Sequence, residues 1–402
     1  MTEKNDRISI HHIGGRSGSG AFPTTKNFQK DFIKVFYDAD SECVEQAKAL
    51  NSGSQSELYV LPYCLSSACQ EATFKIAYDP YTSSLNDFNP EYSAYYSNYE
   101  DYDCILGESY QSMEFRKINV TTLDTIYQNN EIPAPPPDFL SIDTQGSEYD
   151  ILIGGQQVVH DHVLAMSMEV EFHPLYKDQK LFGDLCNYLS GQGFYFVKLS
   201  NIDMASPYRQ PIGLRAEGFQ IYGDALFFRK PDHIEALEVD DEMKRGMFHK
   251  LAFIAIVHFQ FEFGLECLKR SKNYDQRIAN TTPGEEPEYI QFLRNLENRV
   301  EQMPKTYPRK FSAKFSFEES KRRFDKNVAV KPSGVINIEI KKTLYTPDSP
   351  VEDLLVKYGL DDLASFIKKT RLKQDAIQEF VRLNPQVEEA YNIVGYNVTY
   401  ES

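Results

Sequence analysis

Gly14, Gly15, Gly18 and Gly20 crowd into one short segment, GGRSGSG, directly after the apolar run RISIHHI. Glycines after a strand let backbone N–H groups approach a ligand with no Cβ in the way. Asp38 and Asp40 follow Gly18 by about twenty residues and lie just beyond the run IKVFY, where an acid can accept both hydroxyls of an adenosine ribose. The spacing from Gly14 to Gly18 is GxxxG, whereas a pyrophosphate reader usually needs GxGxxG. A ligand without phosphates, such as S-adenosylmethionine, tolerates the looser loop. A tight strand-to-helix turn with no ligand has the same glycines.

Further along, DFLSID ends at Asp143, and VLAMSMEVEF places Glu169 and Glu171 on one face of a strand by alternation, with His173 just past its end. Open parallel sheets hold ligands at the carboxyl ends of their strands. A base there can take the proton from a reacting hydroxyl. Asp143, Glu171 and His173 meet that condition, and His11 and His12 stand at the end of the first strand. Each also has a plainer reading: a helix cap for Asp143, a salt bridge for Glu171, a hydrogen-bonded loop residue for His173. Asp143 and Glu171 offer two hard oxygens of the kind Mg²⁺ accepts, but two carboxylates do not make a site, and no metal ligand is assigned.

The elements that position these groups alternate. Strands are expected at 7–13, 33–37 and 58–62, with helical stretches at 24–34 and 42–50 between them. Strands at 138–143, 163–172 and 193–199 alternate with helices from Ser147 and over 178–192, and a last strand runs within 219–229. This pattern predicts an α/β fold with a mostly parallel sheet, helices on both faces and one antiparallel edge. Residues 73–120 read as irregular. They include EYSAYYSNYED, whose tyrosines suit either a packed insertion or an aromatic lid. EIPAPPPD at 131–138 is a connector that cannot be helix interior. After Pro231 the pattern turns helical, at 240–272, 285–303 and 350–382. That divides the chain into 1–230 and a mainly helical 231–402, with a basic stretch at 305–331 that reads as a solvated linker or helix face, or as a contact for an anion or glycan phosphate. The Tyr segment and the 240–402 helices are the material expected to cover an acceptor cleft, and those helices also suit a homo-oligomer contact.

Of 402 residues, 41% are hydrophobic and 25% charged, enough for one or more ordinary cores. Asp plus Glu is 59 against 43 Lys plus Arg, a net charge of −16, which disfavours nucleic acid and anionic lipid as partners. The six cysteines form no CxxC pair, so neither a disulfide framework nor a zinc site is expected. There is no signal-peptide h-region, and no apolar run approaches the ~20 residues that span a bilayer, so the expected location is the cytoplasm with no membrane insertion.

The segment VTTLDTIYQNN…PDFLSIDTQGSEYDILIGG, followed by MEVEFHPLYKDQKLFGDLCNYLSGQGFYFVKL, resembles the FkbM family of S-adenosylmethionine-dependent methyltransferases. The matching residues are Thr122, Leu123 and Asp124; Ile142, Asp143, Gly146 and Glu148; Glu171, Pro174, Leu175 and Tyr176; and Gly193 and Phe194. The resemblance spans 7 to about 230 and is most specific over 120–199. It implies a Rossmann-like class I methyltransferase fold. It also implies O-methylation of a hydroxyl on a sugar, glycan or secondary metabolite. In that frame Gly14, Gly15 and Gly18 would line the methionine end of the cofactor. Asp38 and Asp40 would serve the ribose, while Cys64, Leu65 and Ser66 would border the adenine. Asp143 would face the methyl group and the acceptor. Three positions depart from the family pattern: His12 stands where an acid is usual, Arg16 where a small or polar residue is, and Gln145 where the Asp-x-Glu-Gly run has its Glu. A nicotinamide-dependent oxidoreductase and a non-catalytic binding protein are the other readings of such a sheet. The glycine spacing and the Ile-Asp-x-x-Gly-x-Glu strand count against the former.

Overall fold

In the computed structural model, which describes residues 6–14, 22–23, 25–39, 44, 56–98, 103–208, 217–275, 286–302, 307–308, 350–368 and 396–397, the first apolar run forms strand β1 (Ile8–Gly14), every residue of it buried until Gly14. A 3₁₀ turn over Lys26–Asp31 stands where a helix over 24–34 was expected, and leads straight into β2 (Phe32–Tyr37). Then come β3 (Glu57–Leu61), β4 (Cys64–Leu65), β5 (Gln70–Ala77), β6 (Tyr96–Asn98) and β7 (Asp103–Ile105). Helix α1 (Leu106–Ser109), β8 (Ser112–Thr121), α2 (Leu123–Gln128) and β9 (Phe139–Asp143) follow. The chain continues through α3 (Glu148–Gly154), α4 (Gln156–Asp161), β10 (Ala165–Glu171), α5 (Phe182–Gly191), β11 (Phe194–Ser206) and β12 (Phe219–Arg229). The expected helix at 42–50 lies almost wholly outside the described residues.

Nine strands join in the order β3-β2-β1-β9-β10-β12-β11-β6-β7. The five from β3 to β10 pair in parallel. From β10 onward every pairing is antiparallel. The sheet is therefore mixed, not mostly parallel as expected. The reason lies in the links: parallel neighbours need long crossovers, whereas β6–β7 and β11–β12 follow each other as hairpins, which reverse direction. Residues 73–120 are also more ordered than expected. Strands β5 and β8 pair antiparallel, and β4 joins β8 in parallel, making a second sheet in the order β4-β8-β5.

Helices cover both faces of the large sheet. On one, Ile13, Val35, Tyr37, Leu140, Ile142 and Met168 pack against Ile126, Ile151, Leu152, Val158 and Leu185 from α2 to α5. On the other lie α6 (Pro231–Ala236), α7 (Asp241–Val257) and α8 (Phe261–Asp275). Residues 251–257 of α7 are buried throughout. Phe253 meets Phe28 at 4.9 Å and Phe32 at 6.2 Å between ring centroids, and His258 at the end of α7 stacks on Phe139 of β9 at 5.4 Å. Met1–Leu293 thus forms one compact unit, and the chain divides after Leu293, later than the change of pattern at Pro231. The second unit, Arg294–Ser402, includes α10 (Pro350–Lys357), preceded in chain order by α9 (Glu288–Glu301) and the short strand β13 (Tyr307–Pro308), which pairs with β14 (Tyr396–Asn397).

Candidate active site

Strand β1 lies between β2 and β9, so the chain runs outward to β3 on one side and to β10 on the other. The carboxyl ends of β1 and β9 diverge at such a switch point, and open α/β sheets bind ligands there. A cavity opens at this point. Its floor includes Gly14 from β1, Asp38 just past β2, Cys64 and Leu65 of β4, and Asp143 at the end of β9. Phe74, Pro80, Tyr81 and Leu85 form a further wall. That wall comes from β5 and the segment after it, and none of the described residues of the Tyr stretch, 92–98, lines it. Tyr92 is buried with Leu106, Tyr110, Leu175 and Tyr176, and Tyr99 and Tyr102 lie outside the described residues.

Gly14 has φ +80° and is paired with Asp143, and a Cβ there would stand 2.0 Å from the Asp143 carbonyl oxygen. Only glycine lets β1 and β9 close together at the cavity. Gly15, Gly18 and Asp40 fall outside the described residues. The Asp38 backbone N–H donates to Leu61 O at 3.2 Å, tying the end of β2 to β3. Burial, and then the Asp38 charge, push the Cys64 thiol up to about 12, so it stays protonated. Ser66 is buried, donates its N–H to Thr121 O at 2.8 Å, and does not line the cavity.

Four carboxyl groups gather here, Asp143 among them. Register places Met168 beside Ile142, so Glu169 of β10 stands next to Asp143, and Glu171 lies two residues on along the same face. Glu148, at the start of α3, accepts from the N–H groups of Thr144 (2.9 Å) and Gly146 (3.2 Å) and from Thr144 Oγ1 (3.1 Å). Burial pushes all four up: Asp143 against hydrogen bonds from Gln145 and Glu169, Glu148 to about 7, and Glu169 and Glu171 well above the carboxylate range, with neighbouring carboxylates adding to the effect at the three glutamates. Glu171 is 1% exposed and its Oε2 has no hydrogen-bond partner. Glu169 and Glu171 hold protons because burial leaves a charge there poorly solvated and beside other carboxylates.

The structure thus brings Asp143 and Glu171 into one cluster, with Asp143 alone of the two lining the cavity. His173 stands apart, its ring parallel to Phe219 and edge-on to Tyr92. His12 is a packed strand residue, its Nδ1 2.8 Å from Ser141 Oγ, and burial lowers it to about 4. His11, on the opposite face, lies between Tyr37 OH and Pro135 O, both at 3.0 Å, and burial lowers it to about 3. Sequence reasoning passed over Glu169 and Glu148 as site residues. The alternation that paired Glu169 with Glu171 was the available signal; the register to β9 was not. Among the described residues no group of three or more His, Cys, Asp or Glu is arranged to hold a metal ion.

Residues 43–196 match the family model described as the Methyltransferase FkbM domain. That stretch holds Cys64, Leu65, Ser66, Asp143, Glu171 and His173, and starts after Gly14 and Asp38. No curated protein matches the chain. Among solved structures it is similar to the crystal structure of Methyltransferase FkbM from Methylobacillus flagellatus KT, at 14% identity and a TM-score of 0.29, over 55% of this chain and 44% of that one. The chain therefore spans less than half the length of the solved relative it matches. The resemblance to the FkbM methyltransferases is thereby shown, over residues 43–196.

Proposed function

We propose that the protein transfers a methyl group from S-adenosylmethionine to a hydroxyl of a sugar, glycan or secondary metabolite. The observation that carries this reading is that one cavity at the switch point gathers Gly14, Asp38, Cys64, Leu65 and Asp143 from four separate strand ends. These residues fit the cofactor chemically. Asp38 offers a carboxylate for the ribose hydroxyls, Tyr63 and Leu65 offer apolar walls for a flat base, and Gly14 leaves the backbone open at the far end. The chemistry S-adenosylmethionine supplies when bound is a methyl group on a sulfonium sulfur.

The chain itself must bind, orient and manage one proton. Asp143 faces the cavity and takes the proton from the acceptor hydroxyl; burial raises its carboxyl, which makes it a stronger base. Glu171 and Glu169 stay protonated behind it. The apolar wall of Phe74, Pro80, Tyr81 and Leu85 excludes water and holds the acceptor at attack distance. Calorimetric titration with S-adenosylmethionine and S-adenosylhomocysteine, with NADH in parallel, tests the reading. Both adenosyl ligands should bind and Asp38→Ala should lose them, while Asp143→Ala should bind but not turn over. Binding of NADH alone would replace the reading with an oxidoreductase. Binding of the adenosyl ligands with no turnover across a broad panel of hydroxylated acceptors would replace it with a binding protein.

A further inference from the structure

Gln145 has φ +58° and precedes Gly146 at φ +97°, so the turn after β9 doubles back and presents its amide to the carboxyl cluster. The amide nitrogen Nε2 lies 3.0 Å from Asp143 Oδ1 and also contacts Glu169 Oε2. The amide oxygen Oε1 lies 3.0 Å from the hydroxyl of Tyr176, which is buried and equally close to Thr82 O. This orientation turns the group with two N–H donors to two carboxyl oxygens and sets a hydroxyl against the carbonyl; the flipped amide would turn its oxygen on the Asp143 carboxylate.

The turn is itself held. Ser84 Oγ donates to Gln145 O at 2.6 Å, and Asn86 Nδ2 donates to Gly146 O at 2.7 Å. A Cβ on Gly146 would meet the Tyr176 ring at 2.8 Å. The segment that walls the cavity therefore also fixes the amide. A primary amide is a neutral side chain that can donate to both acids at once: a carboxylate here would bring a further acid and no N–H donors, and an apolar side chain would remove both of these hydrogen bonds, leaving only the contact between Asp143 and Glu169 themselves.

We propose that Gln145 is a positioning residue, whose amide clamps Asp143 to Glu169 and holds the Asp143 carboxylate against the cavity. The inference rests on the methyltransferase reading for what Asp143 faces. Gln145→Leu removes both donors at similar volume. The readout is the preference for S-adenosylmethionine, whose sulfur is positive, over S-adenosylhomocysteine, whose sulfur is neutral, measured by calorimetry at neutral pH. Loss of the clamp would free the Asp143 carboxylate from its place at the cavity and should cost about tenfold of that preference, the worth of a hydrogen bond to a charged group. The double variant Gln145→Glu/Glu169→Gln, which returns one amide to the pair, should restore it. A merely structural role would weaken both ligands alike, so a preference unchanged within about twofold overturns the proposal.

If the wild-type protein binds neither ligand, the methyltransferase reading falls, and the clamp is judged on the free protein. There Gln145→Leu and Asp143→Asn should shift the urea midpoint non-additively, because they break one bond. Additive shifts would overturn the clamp.

Discussion

Glu148 shows what the carboxyl cluster does to the protein that contains it. An ordinary Glu titrates near 4.5, and burial raises this one to about 7. Below 4.5 folded and unfolded states are both protonated, and the group exacts nothing. As pH rises from 4.5 towards 7 the unfolded chain gives up its proton to water while the folded state keeps its own, so stability falls across that window and levels off above it. The difference corresponds to about 3 kcal/mol. Glu148→Gln keeps an oxygen to accept from Thr144 and Gly146 and removes the ionisation. Its melting temperature should therefore exceed the wild type's at about pH 8, and the gap should close towards about pH 5. A gap that widened on acidification would have the wrong sign for a raised acid.

Helices and strands decide where these side chains meet, and at Gly14 the contact of β1 with β9 leaves no room for a Cβ. Gly14→Ala would drive its Cβ into the Asp143 carbonyl at a positive φ, and should cost at least ~2 kcal/mol in urea unfolding. Gly183 in α5 is the matched control: a Cβ there meets nothing within 4 Å, so Gly183→Ala should be neutral or stabilising by about 0.5–1 kcal/mol. Equal losses at both positions would mean that the β1–β9 contact is not what Gly14 serves. The glycine run was legible as a loop that must let something approach closely. At Gly14 the close approach is first of all that of a neighbouring strand.

The compact unit ends at Leu293, which bears on any attempt to divide the molecule. Phe253 of α7 packs on Phe28 and Phe32, and Tyr289 donates its N–H to Asp31 at 2.8 Å. A fragment of residues 1–293 should unfold in one cooperative transition, whereas one cut after 239 should lose that transition, because it exposes the sheet face that α7 covers. Identical urea midpoints for the two fragments would show that α7 is not part of this core. The helical run after Pro231 read as a separate region because composition registers a change of period; it carries no record of which face a helix covers.

Local order was written in the sequence: the strand ends at Gly14 and Asp143, the acid after β2, the FkbM-like run over 120–199, and the face shared by Glu169 and Glu171. These follow from short-range rules of period, glycine freedom and motif. What only tertiary structure decided is pairing between distant segments. The mixed sheet, the second sheet made from a stretch that read as irregular, the segment after β5 as the cavity wall, and the Gln145 amide between two acids all depend on register or on chain reversals. Register is chosen by the sum of packing over whole strands, so no single residue announces it. Asp143 was recognisable from its own strand, but the neighbours that set its charge come from β10, α3 and the following turn.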